Sequence, residues 1–411
     1  IAMLPLVMMG IERILKGERD SLFCLSLFYA LYCNYYIGFM LCLFSCLYFV
    51  VLWISAREIK NIITSAVNFG WHALLAGGMA AVVKTYDTYF ENMQYITTWT
   101  LSSQWVKAYY ALVSIIKFFF ILLFNPQIKI VHIQGAANAS FERKAIFIKL
   151  SSLFKKKIIY HMHACDFIPY YEASRKKEWI RSIINTSDYF FVLSKSWKEY
   201  FISIGIDPKK IFVMNNIIAP PIKVSTKKES GVINFLFLGE IGKRKGIYDL
   251  LQVISDNQEL FRNKIKLRIG GNLEEEIIKA FIQNNQISDI AVFEGWVTGD
   301  KKIEYLNWAD IYILPSYNEG LPIAILEAMS YSHPIISTPV GGIPEVVKDH
   351  QNGILVEPGN LEQIKEALLF FIKHPEVIES YGQKSYEIVQ PYFPENVFLQ
   401  LKKIYYDLLE K

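Results

Sequence analysis

Hydrophobic positions are spread unevenly along this chain, and their spacing changes character once, near residue 105. Residues 21–56 contain no charged side chain, residues 61–83 form a second uncharged run, and Arg57, Glu58 and Lys60 lie between the two. A membrane-spanning helix needs ~20 apolar residues, so the first run is too long for one pass. A break near Asn34 divides it, and two or three membrane helices are expected over residues 1–105. The pair Gly77-Gly78 in the second run suits close helix packing. A cleavable leader is not expected, because the run is far longer than the apolar core of a signal peptide. Basic residues flank both runs (Arg13, Lys16 and Arg19, then Arg57 and Lys60, then Lys84), so counting them fixes no orientation.

Beyond residue 105 the pattern is that of an α/β protein. Short apolar runs at 129–133, 157–161 and 189–193 alternate with helical stretches at 143–154 and 176–185, which predicts parallel strands joined by crossover helices. Residues 108–124 read as a buried helix rather than a further pass, since Lys117 interrupts the run and Asn125-Pro126 ends it. Four more strands are expected at 234–238, 266–269, 291–293 and 311–314, with helices at 247–256 and 323–330 among them.

Composition narrows the class. The chain has 411 residues, 52% of them hydrophobic, enough for two or three domains of which one meets lipid. A net charge of +4, with lysines scattered among glutamates, gives nucleic-acid binding no support. Cys24, Cys33, Cys42 and Cys46 lie in the apolar stretch and Cys165 stands alone, so free thiols rather than disulfides or a zinc site are expected.

Candidate chemistry collects where the expected strands end, the edge at which open α/β sheets bind ligands. The strand at 234–238 runs into Gly239-Glu-Ile-Gly-Lys-Arg-Lys-Gly246, a turn whose glycines let backbone N–H groups approach phosphate and whose Lys243, Arg244 and Lys245 supply cations. The next strand ends in Gly270-Gly271, and the strand at 311–314 runs into Pro315-Ser-Tyr-Asn-Glu319-Gly-Leu-Pro322. Ser316 and Pro322 suit the start of the helix at 323–330. Seven residues separate Glu319 from Glu327, so the two carboxylates can reach opposite ends of an elongated ligand, although either alone would pass for a dipole-stabilising or solvated glutamate. Gly341-Gly342-Ile-Pro-Glu345 adds a second anion-friendly helix start. In His161-Met-His163-Ala-Cys165-Asp166, His163 is the ligand-facing candidate and His161 a structural one; two histidines and one carboxylate make a poor metal set.

Residues 235–360 resemble the retaining GT-B-fold glycosyltransferases of family four, the glycosyl transferases group 1. The resemblance rests on Phe237-Leu-Gly239 with Lys245-Gly246, on Pro315-Ser316 with Glu319-Gly320-Leu321-Pro322, on the Glu-x7-Glu spacing, and on Gly341-Gly342-Ile-Pro-Glu345. Residues from about 105 resemble the acceptor-side domain of the same family. Asn34-Tyr35-Tyr36-Ile37-Gly38-Phe39-Met40 and Leu74-Leu75-Ala76-Gly77-Gly78 resemble part of a YfhO-type multi-spanning bacterial membrane protein.

The implied architecture is two Rossmann-like domains, the N-terminal one incomplete, preceded by an α-helical transmembrane segment. A membrane region would occupy 1–105 and the acceptor-side domain 106–225. The nucleotide-sugar-binding domain would occupy 226–388, and a C-terminal helix at 389–411 would return to the acceptor side. The resemblance implies a nucleotide-sugar donor and a polysaccharide or lipid-linked acceptor, with no cofactor and no metal, at the cytoplasmic face of the bacterial inner membrane. His163, Glu319 and Lys245 would be catalytic. Gly239, Arg244, Lys245, Gly271, Val297, Glu319, Gly320, Leu321, Glu327, Gly341 and Gly342 would bind the donor: Lys245 and Arg244 the diphosphate, Glu319 the sugar, Glu327 the ribose, and Val297 the base edge. Two departures stand out. Glu240 occupies a place where many members carry arginine, and hydrophobic chain precedes Trp105 where members have an opening strand and a Gly-Gly loop. Two alternatives follow: a nucleotide-sugar epimerase, and a composite of a membrane-protein fragment with an incomplete transferase that binds donor without catalysis.

Overall fold

The structure is a computed structural model that describes Ile96 and residues 104–163, 166–226 and 231–410. The expected membrane helices and all five cysteines lie outside the described residues. Among the described residues no helix is long and apolar enough to cross a membrane.

The first half opens with α1 (Gln104–Phe124), β1 (Ile130–Gly135), α2 (Asn138–Leu153) and β2 (Lys157–Met162), then α3 (Phe167–Ala173) and α4 (Lys177–Thr186). It closes with β3 (Tyr189–Val192), α5 (Lys195–Ser203) and β4 (Ile211–Val213). The four strands are parallel, in the order β1-β2-β3-β4. β3 is buried at all four positions and β2 at five of six, the mark of a parallel sheet covered on both faces. β1 alternates half-buried and buried positions and has one neighbour among the described residues.

The expectation of a buried α1 is corrected. Among its described side chains, residues 108–124, only Ser114, Phe118 and Leu122, one stripe at four-residue spacing, are buried, with Phe118 packed on Phe147 of α2 at 4.9 Å between ring centroids. Tyr109, Leu112, Val113, Ile116, Phe120, Leu123 and Phe124 are exposed. Among the described residues, α2 and Phe154 just beyond it cover one side of this largely apolar helix.

The second half contains β5 (Ile233–Leu238), α6 (Ile247–Asp256), α7 (Gln258–Phe261), β6 (Ile265–Gly270), α8 (Glu275–Asn284), β7 (Ala291–Phe293) and α9 (Gly299–Trp308). It continues through β8 (Ile311–Leu314), α10 (Ile323–Ser330), β9 (Ile335–Ser337), α11 (Ile343–Val346), β10 (Gly353–Leu355), α12 (Leu361–Lys373) and α13 (Val377–Val389). All six strands are parallel, in the order β10-β9-β8-β5-β6-β7. The chain lays β6 and β7 on one side of β5 and β8, β9 and β10 on the other. The order therefore reverses between β5 and β8, which opens a crevice at their carboxyl ends. α6 holds this sheet with Ile247, Leu250, Leu251 and Ile254, fully buried at helical spacing.

The last helix, α14 (Pro394–Glu410), follows a short 3-10 turn at Gln390–Tyr392. Its buried stripe Val397, Leu401, Ile404 and Leu408 packs against Ile159 of β2, Tyr189 and Phe191 of β3, and Met214 and Ile217. The end of the chain is thus built into the first sheet.

Candidate active site

The crevice between β5 and β8 is shaped by two loops that touch. After β5, a 3-10 turn at Lys243–Lys245 leads to Gly246 in the left-handed region at φ +69°. A Cβ on Gly246 would run into the carbonyl of Pro315, so only glycine lets the loop after β5 lie on the loop after β8. Tyr317 N–H donates to the Arg244 carbonyl at 2.8 Å and ties the two together.

This contact gathers the charges. Lys245 Nζ lies 2.5 Å from Glu319 Oε1, and Ser316 Oγ donates to the same oxygen at 2.8 Å. The Glu319 side chain is 6% exposed and that of Lys245 13%, so this is a shielded pair rather than a surface bridge. Arg244 Nη1 donates to the Asn318 carbonyl at 3.1 Å and stands 3.8 Å from Glu319, while its Nη2 pairs with Glu240 at 2.7 Å. The unusual Glu240 therefore binds the arginine expected to serve phosphate. Ser316 differs from expectation: it serves Glu319, and α10 starts after Pro322 with no side-chain cap.

The Gly341-Gly342 turn opens a helix as expected, α11 with Gly342 at its N-cap, but one of only four residues. Gly341 has φ +58°, and a Cβ there would overlap the Glu319 carbonyl; Gly342 N–H donates to the Gly320 carbonyl at 2.6 Å. Thr338 Oγ1 adds a bond to the Ser316 carbonyl at 2.6 Å. The turn clamps the Glu319 loop.

Glu327, on α10, pairs with Lys302 of α9 at 2.5 Å. Between β5 and β8, the buried Tyr312 hydroxyl donates to the Leu238 carbonyl at 2.8 Å. Burial pushes its acidity far from the ordinary tyrosine range, and the negative charges of Glu327 and Glu319 add to the effect. Gly239 and Gly271 approach each other closely enough that a Cβ on Gly271 would overlap the Gly239 carbonyl. Val297 is 7% exposed and packs on Gly270, so its side chain is part of the core.

From the first sheet, β2 delivers His163. Its backbone N–H donates to the Gly135 carbonyl at 3.0 Å, and its own carbonyl oxygen lies 3.8 Å from a Cβ built on Gly320. His163 is thereby brought to the Glu319-Gly320-Leu321 loop. Burial lowers its pKa to about 4, so the ring is neutral at pH 7. Beneath it His161 is fully buried, with neither ring nitrogen hydrogen-bonded, and burial followed by the neighbouring His163 and His132 holds it well below the ordinary range. Two bonds join the halves on the same side: Glu345 accepts from the backbone N–H groups of Lys195 and Ser196 at the start of α5, both at 3.0 Å. Asn216 also donates to the Leu321 carbonyl at 3.4 Å. Among the described residues no group of three or more His, Cys, Asp or Glu is placed to hold a metal ion.

Comparison with known proteins bears on this geometry. Residues 220–388 match the family model described as glycosyl transferases group 1. That match spans the second half from β5 into α13. Residues 70–220 match the model for glycosyltransferase family 4, and residues 1–133 match the bacterial membrane protein YfhO. The family 4 match starts before Trp105, at residue 70, and overlaps the YfhO match as far as residue 133.

An uncharacterized glycosyltransferase of Methanocaldococcus jannaschii is 26% identical over 288 residues, 68% of this chain and 68% of that protein. Among solved structures, sucrose-phosphate synthase from Thermosynechococcus elongatus superposes with a TM-score of 0.61 at 18% identity, covering 72% of this chain and 79% of that one. HepE of Anabaena, solved in complex with UDP, gives 0.58 at 14% identity, covering 73% and 82%. The two parallel sheets therefore form a GT-B-like glycosyltransferase fold.

Within that fold the structure brings together Gly239, Arg244, Lys245, Gly271, Glu319, Gly320, Leu321, Gly341 and Gly342 around the β5–β8 crevice, with His163 against them and the Val297 side chain turned inward. Sequence reasoning did not find Lys302, the Ser316 contact or the Glu345 cap. A lysine in the first turn of α9 and a serine two residues past a strand carry no spacing signal toward the carboxylates they serve.

Proposed function

We propose that this glycosyltransferase binds a nucleotide-sugar donor in the β5–β8 crevice and transfers the sugar, with retention, to a saccharide or lipid-linked acceptor. The observation that carries the reading is the shielded Lys245–Glu319–Ser316 cluster at the strand-order reversal, closed over by the Gly341-Gly342 clamp. Transfer breaks the bond from the anomeric carbon to the phosphate oxygen, and negative charge grows on the departing diphosphate. Lys245 and Arg244 are the preset cations that stabilise it. Glu319, released from Lys245 by the incoming phosphate, accepts a hydrogen bond from a sugar hydroxyl. Glu327 accepts from the ribose, and neutral His163 faces the sugar from the first sheet. The neighbour that carries UDP supports a nucleoside-diphosphate ligand for this fold.

The proposal includes a membrane. It is supported by the uncharged runs at 21–56 and 61–83, by the YfhO match and by the exposed apolar face of α1, which we assign to the bacterial inner membrane with the crevice on the cytoplasmic side. The test is incubation of the full chain with a panel of radiolabelled nucleotide sugars and membrane lipid extract. Label transferred to lipid or glycan, and lost in Glu319→Gln, is the expected result. Donor altered without any acceptor would mark an epimerase instead, and donor bound but never consumed would mark a chain without catalysis.

A further inference from the structure

One line of half-buried polar side chains near the crevice is not explained by donor binding. His163 Nε2 and Gln134 Oε1 are 2.5 Å apart, Gln134 Nε2 and His132 Nε2 are 3.2 Å apart, and His132 Nδ1 lies 2.7 Å from the Tyr405 hydroxyl on α14. These three contacts form one line from the C-terminal helix, across β1, to His163. His132 also stacks on buried His161 at 5.6 Å between ring centroids, and the His163 ring lies tilted against it at 4.1 Å.

We propose that Tyr405, His132 and Gln134 are positioning residues that set the tautomer of His163, and so decide whether its remaining ring nitrogen meets the donor as an acceptor or as a donor of a hydrogen bond. The proposal rests on the reading that His163 faces the transferred sugar.

A carboxamide oxygen can only accept, so His163 must donate from Nε2–H, and its neutral ring keeps the lone pair on Nδ1. The carboxamide N–H2 can only donate, so His132 accepts on Nε2 and carries its proton on Nδ1, where the Tyr405 oxygen accepts it. Each member fixes the next. The opposite arrangement exists only if every member reverses together: Tyr405 O–H donates to His132 Nδ1, His132 Nε2–H to the turned carboxamide oxygen, and the carboxamide N–H2 to His163 Nε2. The line is thus two-state, and Tyr405 biases it from the far end. With its hydroxyl deleted, His132 Nδ1–H loses its acceptor in a half-buried setting, which favours the other tautomer and turns the carboxamide. Neutral rings are required, and burial supplies that condition by lowering His132 to about 3 and His163 to about 4.

The test uses the full chain labelled with 15N-histidine, together with Tyr405→Phe, Gln134→Asn and the double variant His163→Ala/Tyr405→Phe. Ring nitrogen shifts should report His163 as Nε2–H in the parent and move towards Nδ1–H in Tyr405→Phe, which deletes one oxygen and leaves the α14 stripe intact. In the transfer assay kcat should fall roughly tenfold with donor KM unchanged, about 1.4 kcal/mol on the barrier. Adding Tyr405→Phe to His163→Ala should cost nothing more. Gln134→Asn, too short to span both rings, should give the same kinetic loss. An unmoved His163 tautomer in Tyr405→Phe, or losses that add in the double variant, would overturn the proposal. UDP binding is measured on the same samples. A parent that does not bind UDP would remove the donor-site reading and this proposal together, whereas binding retained with additive losses would remove this proposal alone.

Discussion

Glu319 is where residue chemistry and stability meet. Its carboxylate is held by Lys245 and Ser316 in a site with almost no exposure. Replacing it by alanine leaves a shielded ammonium without its partner, at a cost of ~3–5 kcal/mol, so Glu319→Gln is the cleaner probe. It should keep the Ser316 bond and lower kcat on the order of 100-fold, read as initial rates at saturating donor. Gly341→Ala should be worse for the fold, because a left-handed φ and a Cβ overlapping the Glu319 carbonyl cost at least ~2 kcal/mol; thermal unfolding measures it. The histidines predict a pH effect. Folded pKa values of about 3 for His132 and about 4 for His163, with His161 also lowered, mean that the unfolded chain binds more protons below pH 6.5. Stability is therefore full above about pH 6.5 and falls as pH drops toward 4, by up to ~1.4 kcal/mol per pH unit for each histidine. Urea midpoints between pH 7 and 5 test this, and a flat profile would contradict it. Much of this scale could be read from sequence. Lys245, Glu319 and Gly341 each sit just after a strand, in motifs a few residues long. The His163–Tyr405 line could not, because His132 and Tyr405 lie 273 positions apart and meet only once α14 has packed.

At the scale of elements, the crossover of α14 and the Glu345 cap on α5 do similar work, since each makes one half of the molecule complete the other. Glu345 caps the first turn of α5 from the other half, in addition to Ser194 within the element, whose hydroxyl accepts from Trp197 N–H. Glu345→Ala should cost ~1 kcal/mol, the worth of a helix cap, and should loosen the contact of the halves, visible as a larger radius of gyration in small-angle scattering; an unchanged radius and melting point would contradict the joint role. In the second half β5, β6, β7 and β8 and the helices α6 and α10 fall where the sequence pattern puts them, because their apolar positions recur at strand or helix spacing, whereas short β10 and the helices α8, α9, α12 and α13 were not foreseen. α1 shows why the pattern misled. A run apolar on every side predicts burial but does not say how many neighbours exist, and here α2 covers one stripe.

On the scale of the whole molecule, a GT-B-like pair of parallel sheets follows a stretch that matches a membrane-protein family, and both family models claim the residues around α1. The exposed apolar face of α1 and the uncharged runs before it predict that the full chain sediments with anionic lipid vesicles. Replacing Leu112, Ile116 and Phe120 with serine should weaken that sedimentation at low protein concentration without lowering UDP affinity. The proposed function requires the crevice between β5 and β8 to be the donor site. Calorimetric titration of UDP into the full chain, beside Lys245→Ala and Glu327→Gln, tests this most directly. The account predicts saturable binding in the parent, weakened at least tenfold by either substitution; no binding by the parent, or binding that both variants retain unchanged, would contradict it.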